Sequence, residues 1–560
     1  MKTKSFILPA VLLAGSLIFG GCQNRSNTAG GSGQDGSKAP AESITPAADG
    51  ADLSGYLRIA DDFTDDVDPQ CTTSLYTVAL NIFDRLVEVE SDPENGSSRI
   101  VPSLADSWEI SEDGLIYIFH LHPGVMFSNG SPLTSSDVEY TFKRLLTLPD
   151  SVNQDIASSI LGADRLQNNE TDILEGFDII NDETFSITLE QPYAAFLACL
   201  STPGASILDK ETTEEAGDTF GIDPAMTVGT GPFIFDRSVP ESYMLLSANK
   251  DCWSGPPMCD GIRINLVDDG ESLILMYKEG ELDILDLEEL GSEAEFYIHG
   301  DIYQDSLVKG SRVGITYIAL NQSVPPLDNA LVRKALQMGL DRRMILQASC
   351  SGRGYVENGI FPHGLIGFNP DLEEIPYDPE GARELLREAG YPDGFSLDIS
   401  MEEGTSEAHR ELSNIIASMW EEIGVKTHVY ELDDNTFMTM RRSGSIACYV
   451  STWSADFNDP DNFIYTFFGS EENSKSRSLC FEDEELISRV HKARSIISEE
   501  ERLREYNELE KIIVQDMACW VPLYSQQHIF ALSSRVEGFE VSWNGWSSNR
   551  YRNVSVTGRN

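Results

Sequence analysis

The alternation of apolar and polar positions predicts short strands and amphipathic helices over most of the chain. Residues 115–121, Leu-Ile-Tyr-Ile-Phe-His-Leu, form a β-rich run that follows a turn at 111–114. Residues 328–346 and 409–423 place apolar side chains at helical spacing, and Gly424 ends the second of these segments. Helices that alternate with short apolar strands indicate sheets covered by helices, and hence an α/β fold.

Polar residues mark where two of the predicted helices begin. Thr134 is followed three residues later by Asp137, a spacing that allows the two residues to cap a helix reciprocally. Asp378 precedes Pro379, which suits the first position of a helix, and Gly390 is suited to end that helix. These signals predict helices that start at about 135 and at 379.

One predicted strand leads into an acidic loop. Residues 447–453 are apolar and β-rich, and Pro460 closes the loop because it cannot continue a strand ladder. The carboxylate of Asp456 is therefore placed just beyond a strand end, where open α/β sheets present ligand sites. Between the rings of Trp453 and Phe457, this carboxylate could hold an ammonium group. A solvated acidic loop is the alternative.

The first residues are typical of an export signal. Lys2 and Lys4 precede an apolar run at 6–19, which is too short to span a membrane comfortably as a permanent helix. The small residues before Cys22 resemble the lipobox of bacterial lipoproteins, in which the cysteine is lipidated. We therefore expect a lipoprotein signal peptide over 1–21, with a plain secretory signal as the alternative.

Length and composition indicate a folded body of several domains on a tether. The chain has 560 residues, which favours two or three domains, and its hydrophobic content of 41% supports sizeable cores. The formal net charge of -52 repels phosphate backbones and anionic lipid, so we expect no nucleic acid partner. Residues 22–52 are rich in Gly, Ser, Ala and Pro without periodicity, which predicts a flexible tether.

Cysteine usage predicts one local disulfide at most. Apart from Cys22, only Cys252 and Cys259 lie close together in the sequence. Residues 253–257, which make up most of the segment between them, have the composition of a turn, so a disulfide between Cys252 and Cys259 is a candidate. The scattered cysteines are expected to be buried, reduced thiols.

No motif for metal binding or catalysis stands out. His120 and His122 share one face of a strand but lack a nearby third ligand, and the acidic residues of 61–68 lack the spaced order of an EF-hand. The sequence contains no HExxH, GxSxG or Walker motif. We therefore expect no metal, no cofactor and no enzyme activity.

Long segments in a fixed order give the chain a clear resemblance to one family. They are LADSWEISEDGL at 104–115, FHLHPGVMF at 119–127 and VGTGPF at 228–233, with shorter segments at 249–253, 280–284, 332–336 and 340–342. These segments closely resemble the family 5 extracellular solute-binding proteins of ABC transporters, the oligopeptide, dipeptide and nickel binding family. The resemblance covers residues 53–538.

The resemblance implies a two-lobed, periplasmic-binding-protein-like α/β fold of type II, with a hinge between the lobes. The chain would cross between the lobes near 310–314 and again near 522–527. The implied division is a lobe 1 of residues 53–309 plus 526–560, an inserted subdomain of lobe 1 at about 85–205, and a lobe 2 of residues 310–525.

Within this family, the segment around Asp456 aligns with the segment that grips a bound peptide. Asp456 matches the aspartate that pairs with a peptide's α-ammonium group, and Trp453 matches a ring that lines the pocket. Thr452 and Ser454 match residues whose backbone groups pair with the main chain of the ligand, as in strand addition. A loop of the first lobe, Phe63–Thr64, matches a segment that faces the cleft.

Two positions depart from the family pattern. Short-peptide binders of the family use an arginine for the peptide's C-terminal carboxylate, and the positions of such arginines are here Val450 and the segment 401–404, Met-Glu-Glu-Gly. A longer peptide, a cationic solute or a neutral solute would fit such a pocket better. Arg410, Arg441 and Arg442 could compensate, although placement on the surface is the alternative for each.

The resemblance implies the substrate-binding lipoprotein of an ABC importer, held by its lipid at the outer face of the cell membrane or in a periplasm. We expect a monomer that captures a peptide between two lobes and delivers it to a membrane permease. The same role for an oligosaccharide, a metal chelate or a cationic small molecule is the main alternative. A surface adhesin or a secreted enzyme is a further alternative.

Overall fold

The computed structural model describes most of the chain after residue 52. The described residues are 53–64, 66–72, 76–91, 98–267, 269–288, 290, 306–543 and 549–557. The predicted signal peptide at 1–21, the lipidation site Cys22 and the tether at 22–52 lie outside this part. Among the helices that are described, none combines the length and the apolar character needed to cross a bilayer.

Short strands recur from one end of the described chain to the other. In chain order they are β1 (Tyr56–Asp61), β2 (Val87–Ser91), β3 (Ser98–Pro102), β4 (Ala105–Ile110), β5 (Ile116–Leu121), β6 (Phe177–Asn181), β7 (Thr184–Thr188), β8 (Phe233–Val239), β9 (Tyr243–Ala248), β10 (Gly261–Leu266), β11 (Ile284–Asp286), β12 (Leu307–Ser311), β13 (Gly314–Leu320), β14 (Gly354–Val356), β15 (Phe395–Glu402), β16 (Val425–Leu432), β17 (Cys448–Ser454), β18 (Trp520–Leu532), β19 (Val536–Glu537) and β20 (Ser555–Val556).

Helices lie between many of these strands. They are α1 (Thr77–Ile82), α2 (Ser135–Thr147), α3 (Ala163–Gln167), α4 (Phe196–Leu200), α5 (Lys210–Ala216), α6 (Gly270–Glu279), α7 (Ala330–Met338), α8 (Arg342–Cys350), α9 (Pro379–Glu388), α10 (Glu407–Glu422), α11 (Asp434–Arg442), α12 (Asp461–Phe468), α13 (Glu471–Ser476), α14 (Glu484–Ala493) and α15 (Glu499–Glu510). A π-helical turn, Lys511–Asp516, follows α15.

The predicted helix starts are confirmed, whereas one predicted helix is divided in two. At the start of α2, the main-chain N–H of Thr134 donates to Asp137 Oδ2 at 2.8 Å. At the start of α9, the side chain of Asp378 is the acceptor, since its Oδ1 accepts from the N–H of Gly381 at 2.8 Å. The helix predicted at 328–346 is interrupted after Met338, because Asp341 accepts a hydrogen bond from the N–H of Met344 and begins α8 as a new helix.

Two sheets and a hairpin form the first part of the chain. One sheet has the order β1-β10-β9-β8, in which β1 and β10 are parallel and pair Ile59 with Ile264. The other sheet is antiparallel with the order β4-β5-β7-β6, and the hairpin is β2-β3. Phe119 and Phe185 stack at a centroid distance of 5.3 Å in the core of the antiparallel sheet. We call the lobe that contains β1–β10 lobe 1.

The second part of the chain is built on a larger mixed sheet with the order β11-β18-β13-β17-β15-β16, to which β12 and β14 add by pairing with β18. Its two faces are covered by helices and carry separate buried cores. We call the lobe that contains β13–β17 lobe 2. Strand β18 links the lobes, since Trp520 at its start lies in a core of lobe 2 and Phe530 near its end lies in the core of lobe 1.

The predicted disulfide between Cys252 and Cys259 is wrong. Both are buried free thiols, and each is directed to a main-chain carbonyl of its own surroundings: Cys252 Sγ lies 3.7 Å from the oxygen of Thr230, and Cys259 Sγ lies 3.4 Å from that of Gly261. Because the thiols are held apart in this way, the intervening turn does not bring the two sulfur atoms together. The other described cysteines are also free thiols, and they are buried as expected except for Cys71 and Cys480, which are half-buried.

Candidate functional site

Asp456 lies two residues beyond the end of β17, at the edge of the lobe 2 sheet. Strands β15, β16 and β17 run parallel, so their carboxyl ends share one edge. The main-chain N–H of Asp456 donates to Asn462 Oδ1 at 3.0 Å, and Asn462 Nδ2 donates back to Asp456 Oδ2 at 3.0 Å. This reciprocal pair orients the carboxylate and leaves its Oδ1 without a hydrogen-bond partner in the described part of the chain.

The side chain of Asp456 is both accessible to solvent and closely surrounded by protein. Solvent reaches the side chain, yet protein surrounds it closely enough for burial to raise its pKa to about 6. The hydrogen bond from Asn462 opposes this increase, the charge of Asp155 adds to it, and the charge of Arg477 opposes it. An accessible carboxylate in such surroundings is poised to gain from a cationic partner.

Lobe 1 contributes Tyr76 and Asp155 to the region that faces Asp456. Burial raises the pKa of Tyr76, and the negative charges of Asp155 and Asp456 raise it further, which places both carboxylates near this phenol. Tyr76 is fixed from within lobe 1, since its hydroxyl donates to the oxygen of Thr72 at 2.6 Å and accepts from Asn153 Nδ2 at 3.2 Å. Groups of both lobes therefore act electrostatically on one another around Asp456, and a ligand site between the lobes stays a prediction.

Trp453 packs against the loop that carries Asp456, and its role as a ring that lines the ligand pocket stays a prediction. Its Nε1 donates towards the main-chain oxygen and Oδ1 of Asn462, at 3.2 and 3.3 Å. The ring meets Phe467 edge-on at a centroid distance of 5.6 Å, and the guanidinium carbon of Arg477 lies 4.6 Å from its centroid. The indole therefore contacts both the residue that holds Asp456 and a cationic side chain.

Thr452 and Ser454 lie on a strand edge that is only partly paired. Strand β17 pairs with β13 along its whole length, but with β15 only at Tyr449, opposite Ser400. Beyond that pair, no described strand is in register with Thr452 or Ser454 on the β15 side. The hydroxyl of Thr452 lies 3.0 Å from that of Thr316. An edge of this kind can accept an extended ligand through main-chain hydrogen bonds, and this role of the two residues stays a prediction.

Phe63 and Thr64 lie in the loop that follows β1 in lobe 1. The side chain of Phe63 is 47% exposed. The hydroxyl of Thr64 bonds within its own loop, donating to the oxygen of Asp66 at 2.8 Å and accepting from the N–H of Asp66 at 3.3 Å. No described contact joins either residue to Asp456, so their place in the ligand site stays a prediction.

The structure distinguishes the three arginines considered from the sequence. Arg410 is half-buried and forms ion pairs with Glu407 and Glu431, and Arg442 is exposed. Arg441 is only 3% exposed, so the alternative that it lies on the surface is wrong. Tyr76, Asp155 and Arg477 were not found from the sequence, because nothing in their local pattern indicates which loops meet across the cleft.

The family model described as "Bacterial extracellular solute-binding proteins, family 5 Middle" matches residues 99–475. That match covers most of the chain and includes the segment around Asp456. The chain belongs to this family. The predicted family is therefore confirmed. The family model and the solved structures that resemble this chain describe binding proteins.

Relatives of this family 5 protein extend over nearly its whole length. The "Heme-binding protein A" of Haemophilus influenzae is 29% identical over 499 residues, which cover 87% of this chain and 89% of that protein. The "Dipeptide-binding protein" of Escherichia coli is 26% identical over 506 residues, which cover 87% and 92%. The "Di/tripeptide-binding protein 2" of Pseudomonas aeruginosa is 27% identical over 468 residues, which cover 80% and 85%.

Solved structures confirm the two-lobed α/β fold. HbpA2 from Haemophilus parasuis has a TM-score of 0.76 at 26% identity, and covers 90% of this chain and 99% of its own. MppA, a periplasmic murein tripeptide binding protein in its unliganded open form, has a TM-score of 0.78 at 21% identity, and covers 90% and 97%. DppA from Helicobacter pylori in complex with the peptide STSA has a TM-score of 0.63 at 24% identity.

Proposed function

We propose that this chain is the substrate-binding protein of an ABC importer and that it captures a peptide with a free α-amino group between its lobes. The observation that carries the proposal is the carboxylate of Asp456, which is oriented by Asn462, walled by Trp453 and left with one unbonded oxygen. An ammonium group would satisfy both the charge and the remaining hydrogen-bonding capacity of that carboxylate. The names of the dipeptide-binding relatives support a peptide as the ligand class.

Capture would proceed by closure of the lobes about the strands that link them. A ligand held by Asp456 in lobe 2 and touching Tyr76 in lobe 1 would bind the closed arrangement more tightly than the open one. Such a ligand shifts the population towards the closed form, which a membrane permease would then recognise. The hinge would lie where the predicted crossings at 310–314 and 522–527 meet β12, β13 and β18.

The lobe boundaries, the anchor and the oligomeric state belong to the same proposal. Lobe 1 would comprise 53–309 and 526–560, with its subdomain at about 85–205, and lobe 2 would comprise 310–525. A lipid on Cys22 and the tether at 22–52 would hold a monomeric body at the outer face of the membrane. Metabolic labelling with a fatty acid, compared between the wild-type chain and Cys22→Ser, tests the anchor.

A cationic solute without peptide bonds is a second candidate ligand. The negative charges of Asp155 and Asp456 are near enough for Asp155 to raise the pKa of Asp456. Two carboxylates that act on each other electrostatically favour a ligand that carries more than one positive charge. Such a ligand would not need main-chain pairing with Thr452 and Ser454. Its affinity would therefore not depend on that pairing, whereas N-methylation of the main chain would remove the pairing from a peptide ligand.

The experiment that tests the function uses the full chain carrying Cys22→Ser, freed of bound ligand by unfolding and refolding. Calorimetric titration compares tri-alanine with N-acetyl-tri-alanine, and mass spectrometry identifies whatever was released on unfolding. Losing one partner of a buried charge pair costs about 3–5 kcal/mol, or roughly two to four decades in affinity. We therefore expect Asp456→Asn and N-acetylation each to weaken binding by about that factor.

Asp393→Asn, an exposed carboxylate of lobe 2 outside the site, is the matched control and should bind like the wild-type chain. Affinity for tri-alanine that is unchanged in Asp456→Asn would contradict the assignment of the amine site. Release of one compound without an amine would contradict the peptide as the ligand.

A further inference from the structure

We propose that a cavity of lobe 2 beside β18 is a second ligand site, apart from Asp456, and that it binds a small primary ammonium ion. The cavity has a volume of about 160 Å³. An engineered protein cavity of about 150 Å³ holds benzene, so there is room here for an organic ion of about five or six non-hydrogen atoms. The wall residues that carry the argument are Glu357, Phe361, His363, Phe368, Leu372 and Glu510. The proposal does not depend on a peptide ligand.

Glu510 brings to the cavity a carboxyl group that is only partly hydrogen-bonded. It is the last residue of α15, directly before the π-helical turn, and it is 1% exposed. Its Oε1 accepts from the N–H of Phe361 at 2.9 Å, whereas its Oε2 is shielded from solvent and has no hydrogen-bond partner in the described chain. A buried polar atom without a partner is unfavourable, so a donor placed in the cavity would stabilise this carboxyl group.

Glu357 supplies a second carboxylate, which is fixed through one of its two oxygens. Its Oε1 accepts from the N–H of His363 at 3.0 Å and from the hydroxyl of Ser525 on β18, and His363 Nδ1 lies 2.8 Å from the same oxygen. No hydrogen bond to its Oε2 is found among the described residues. The carboxylate is therefore held in place by the protein and keeps one oxygen for a ligand.

The described chain places no lysine or arginine against these two carboxyl groups. Arg342 is the cation whose guanidinium group comes near Glu357, but it donates to the main-chain oxygens of Glu357 and Ile375 and to Asn358 Oδ1. No described ion pair joins a lysine or an arginine to Glu510. A positive charge for the pair would thus have to come from a ligand.

In the empty protein, a proton on Glu510 takes the place of that charge. Burial and, to a smaller extent, the charge of Glu357 raise the pKa of Glu510 to about 8, although the N–H groups of Phe361 and Ile360 lower it. The carboxyl group is therefore protonated near neutral pH. An ammonium ion in the cavity would replace the proton and donate hydrogen bonds to ionised carboxylates, which are stronger than bonds between neutral groups.

Aromatic and apolar side chains complete the wall. The ring of His363 stacks on Tyr355 at a centroid distance of 4.0 Å and lies 4.1 Å from the centroid of Phe368. The buried ring of Phe361 and the side chain of Leu372 also line the cavity. Ring faces attract organic ammonium ions, and apolar side chains favour the alkyl part of such an ion over water.

The donor set favours an organic cation over a metal ion. Within the described ranges, no three His, Cys, Asp or Glu side chains are grouped so that they could hold a metal ion. A primary ammonium group, in contrast, has three N–H donors that can be shared between two carboxylates, and its alkyl chain can contact the rings. The n-propylammonium ion is small enough for the cavity and has both parts.

The cavity and the Asp456 loop are separate, although one segment of chain touches both. The N–H of Ile366 donates to Asn458 Oδ1 at 2.7 Å, and Asn458 Nδ2 donates to the oxygen of Gly364 at 3.1 Å. No described contact joins Glu510 to Asp456. Variants of these two carboxylates can therefore distinguish the two sites.

The test titrates n-propylammonium chloride into the full chain carrying Cys22→Ser, freed of bound ligand, in an amine-free buffer at pH 8.5. Binding is measured by calorimetry, and the Tm of the chain is measured at each concentration. In parallel titrations, 1-propanol lacks the charge and potassium chloride lacks the alkyl group. We expect n-propylammonium to bind and to raise the Tm, and we expect neither control to do so.

Four variants locate the bound ion. Glu510→Gln keeps the shape of the side chain but removes its charge, and should weaken binding about ten- to a hundred-fold. Phe368→Leu should weaken it about three- to thirty-fold, because one ring is lost. Glu508→Gln, the exposed neighbour, and Asp456→Asn should both bind n-propylammonium in the cavity like the wild-type chain.

The outcomes separate this site from the proposed function. Binding that is lost in Asp456→Asn but unchanged in Glu510→Gln would place the ion at the amine site and overturn the cavity site. Equal effects of potassium chloride or 1-propanol, or no heat and no increase in Tm with n-propylammonium in a chain that binds tri-alanine, would also overturn it while the proposed function stands. Failure of tri-alanine alone would contradict the peptide function and leave the cavity site intact.

Discussion

Asn462 and Asp456 hold each other through two hydrogen bonds that run in opposite directions. Asp456 donates its main-chain N–H to Asn462 Oδ1, and Asn462 Nδ2 donates to Asp456 Oδ2, both at 3.0 Å. Asn462 lies in the first turn of α12, so the loop between the strand and the helix is closed on itself at the site. The direction in which the carboxylate points is therefore set by a residue that need not touch the ligand.

Asn462→Ala should weaken amine binding without unfolding the protein. The change removes both hydrogen bonds to Asp456 and the bond from Trp453 Nε1 to Asn462 Oδ1, while the bond from Nε1 to the main-chain oxygen of residue 462 remains possible. A hydrogen bond to a charged group contributes about 1.5–3 kcal/mol, so calorimetry with tri-alanine should show a loss of at least about ten-fold. The control is Asn473→Ala, which loses a bond to the oxygen of Tyr465 outside the Asp456 loop. Equal effects of the two changes would contradict a positioning role for Asn462.

Amine binding should fall as the pH falls through about 6. Burial raises the pKa of Asp456 to about 6 in the empty protein, and only the ionised carboxylate attracts an ammonium group. Above that pH the carboxylate is already ionised, so a further increase in pH does not change the affinity through Asp456. Below it, each pH unit should cost about ten-fold in affinity, because binding must first remove a proton. Titration of tri-alanine between pH 4.5 and 8 measures the midpoint.

The hydrogen bond from Asn462 lowers the pKa of Asp456, so Asn462→Ala should move this midpoint to higher pH. Asp456→Asn has no proton to lose and should bind weakly with no midpoint near 6. A wild-type affinity that is flat from pH 4.5 to 8 would contradict Asp456 as the amine ligand.

Local patterns sufficed to predict the strand that presents Asp456 and the helix caps at Thr134 and Asp378. These features depend on residues within a few positions of each other, such as a β-rich run followed by a proline or a carboxylate three residues beyond a cap. The same local reasoning missed the break between α7 and α8, where Asp341 begins a new helix inside an unbroken amphipathic pattern.

Contacts between distant segments were beyond local reasoning. The charge of Asp155 raises the pKa of Asp456 although 301 positions separate the two residues, and no periodicity indicates that they come near each other. Arg441 looked like one of two adjacent surface cations, and only the packing of α11 shows that it is buried while Arg442 is exposed. The wrong disulfide has the same origin, since sequence proximity of Cys252 and Cys259 does not say where each thiol points.

Arg494→Gln should loosen the contact between the lobes. Its guanidinium carbon lies 4.7 Å from the centroid of Tyr193 in lobe 1 and 3.7 Å from that of Tyr465 in lobe 2. Its main-chain oxygen also accepts from the N–H of Ala194 of lobe 1 at 2.9 Å. Cation–π contacts contribute about 0.5–2 kcal/mol, so we expect roughly a three- to thirty-fold faster release of bound tri-alanine in stopped-flow measurements.

Two matched changes separate the lobe contact from general loss of charge. Arg494→Lys keeps the charge but loses the planar stacking and should release peptide at an intermediate rate. Arg489→Gln removes an arginine of α14, the helix that ends just before Arg494, and should leave the release rate unchanged; Arg489 Nε donates to Glu505 at 2.7 Å within lobe 2. A release rate that responds equally to Arg489→Gln would argue against a contact specific to Arg494.

Glu510→Gln should stabilise the protein at alkaline pH. Glu510 is 1% exposed and lines a cavity of about 160 Å³ together with Glu357 and His363. Burial raises its pKa from an ordinary value of 4.5 to about 8, although hydrogen bonds from the N–H groups of Phe361 and Ile360 oppose the increase. Its Oε2 has no hydrogen-bond partner in the described structure.

The direction of the pH effect follows from proton binding. Between about pH 4.5 and 8 the folded protein keeps a proton on Glu510 that the unfolded chain has lost, so this group makes the free energy of unfolding fall as the pH rises through that window. A glutamine does not titrate, so the Tm of Glu510→Gln should fall less between pH 5 and 8 than that of the wild-type chain. Glu508→Gln, an exposed neighbour that pairs with Arg489 at 3.1 Å, should keep the wild-type slope. Identical slopes in Glu510→Gln and the wild-type chain would show that Glu510 is ionised in the folded state.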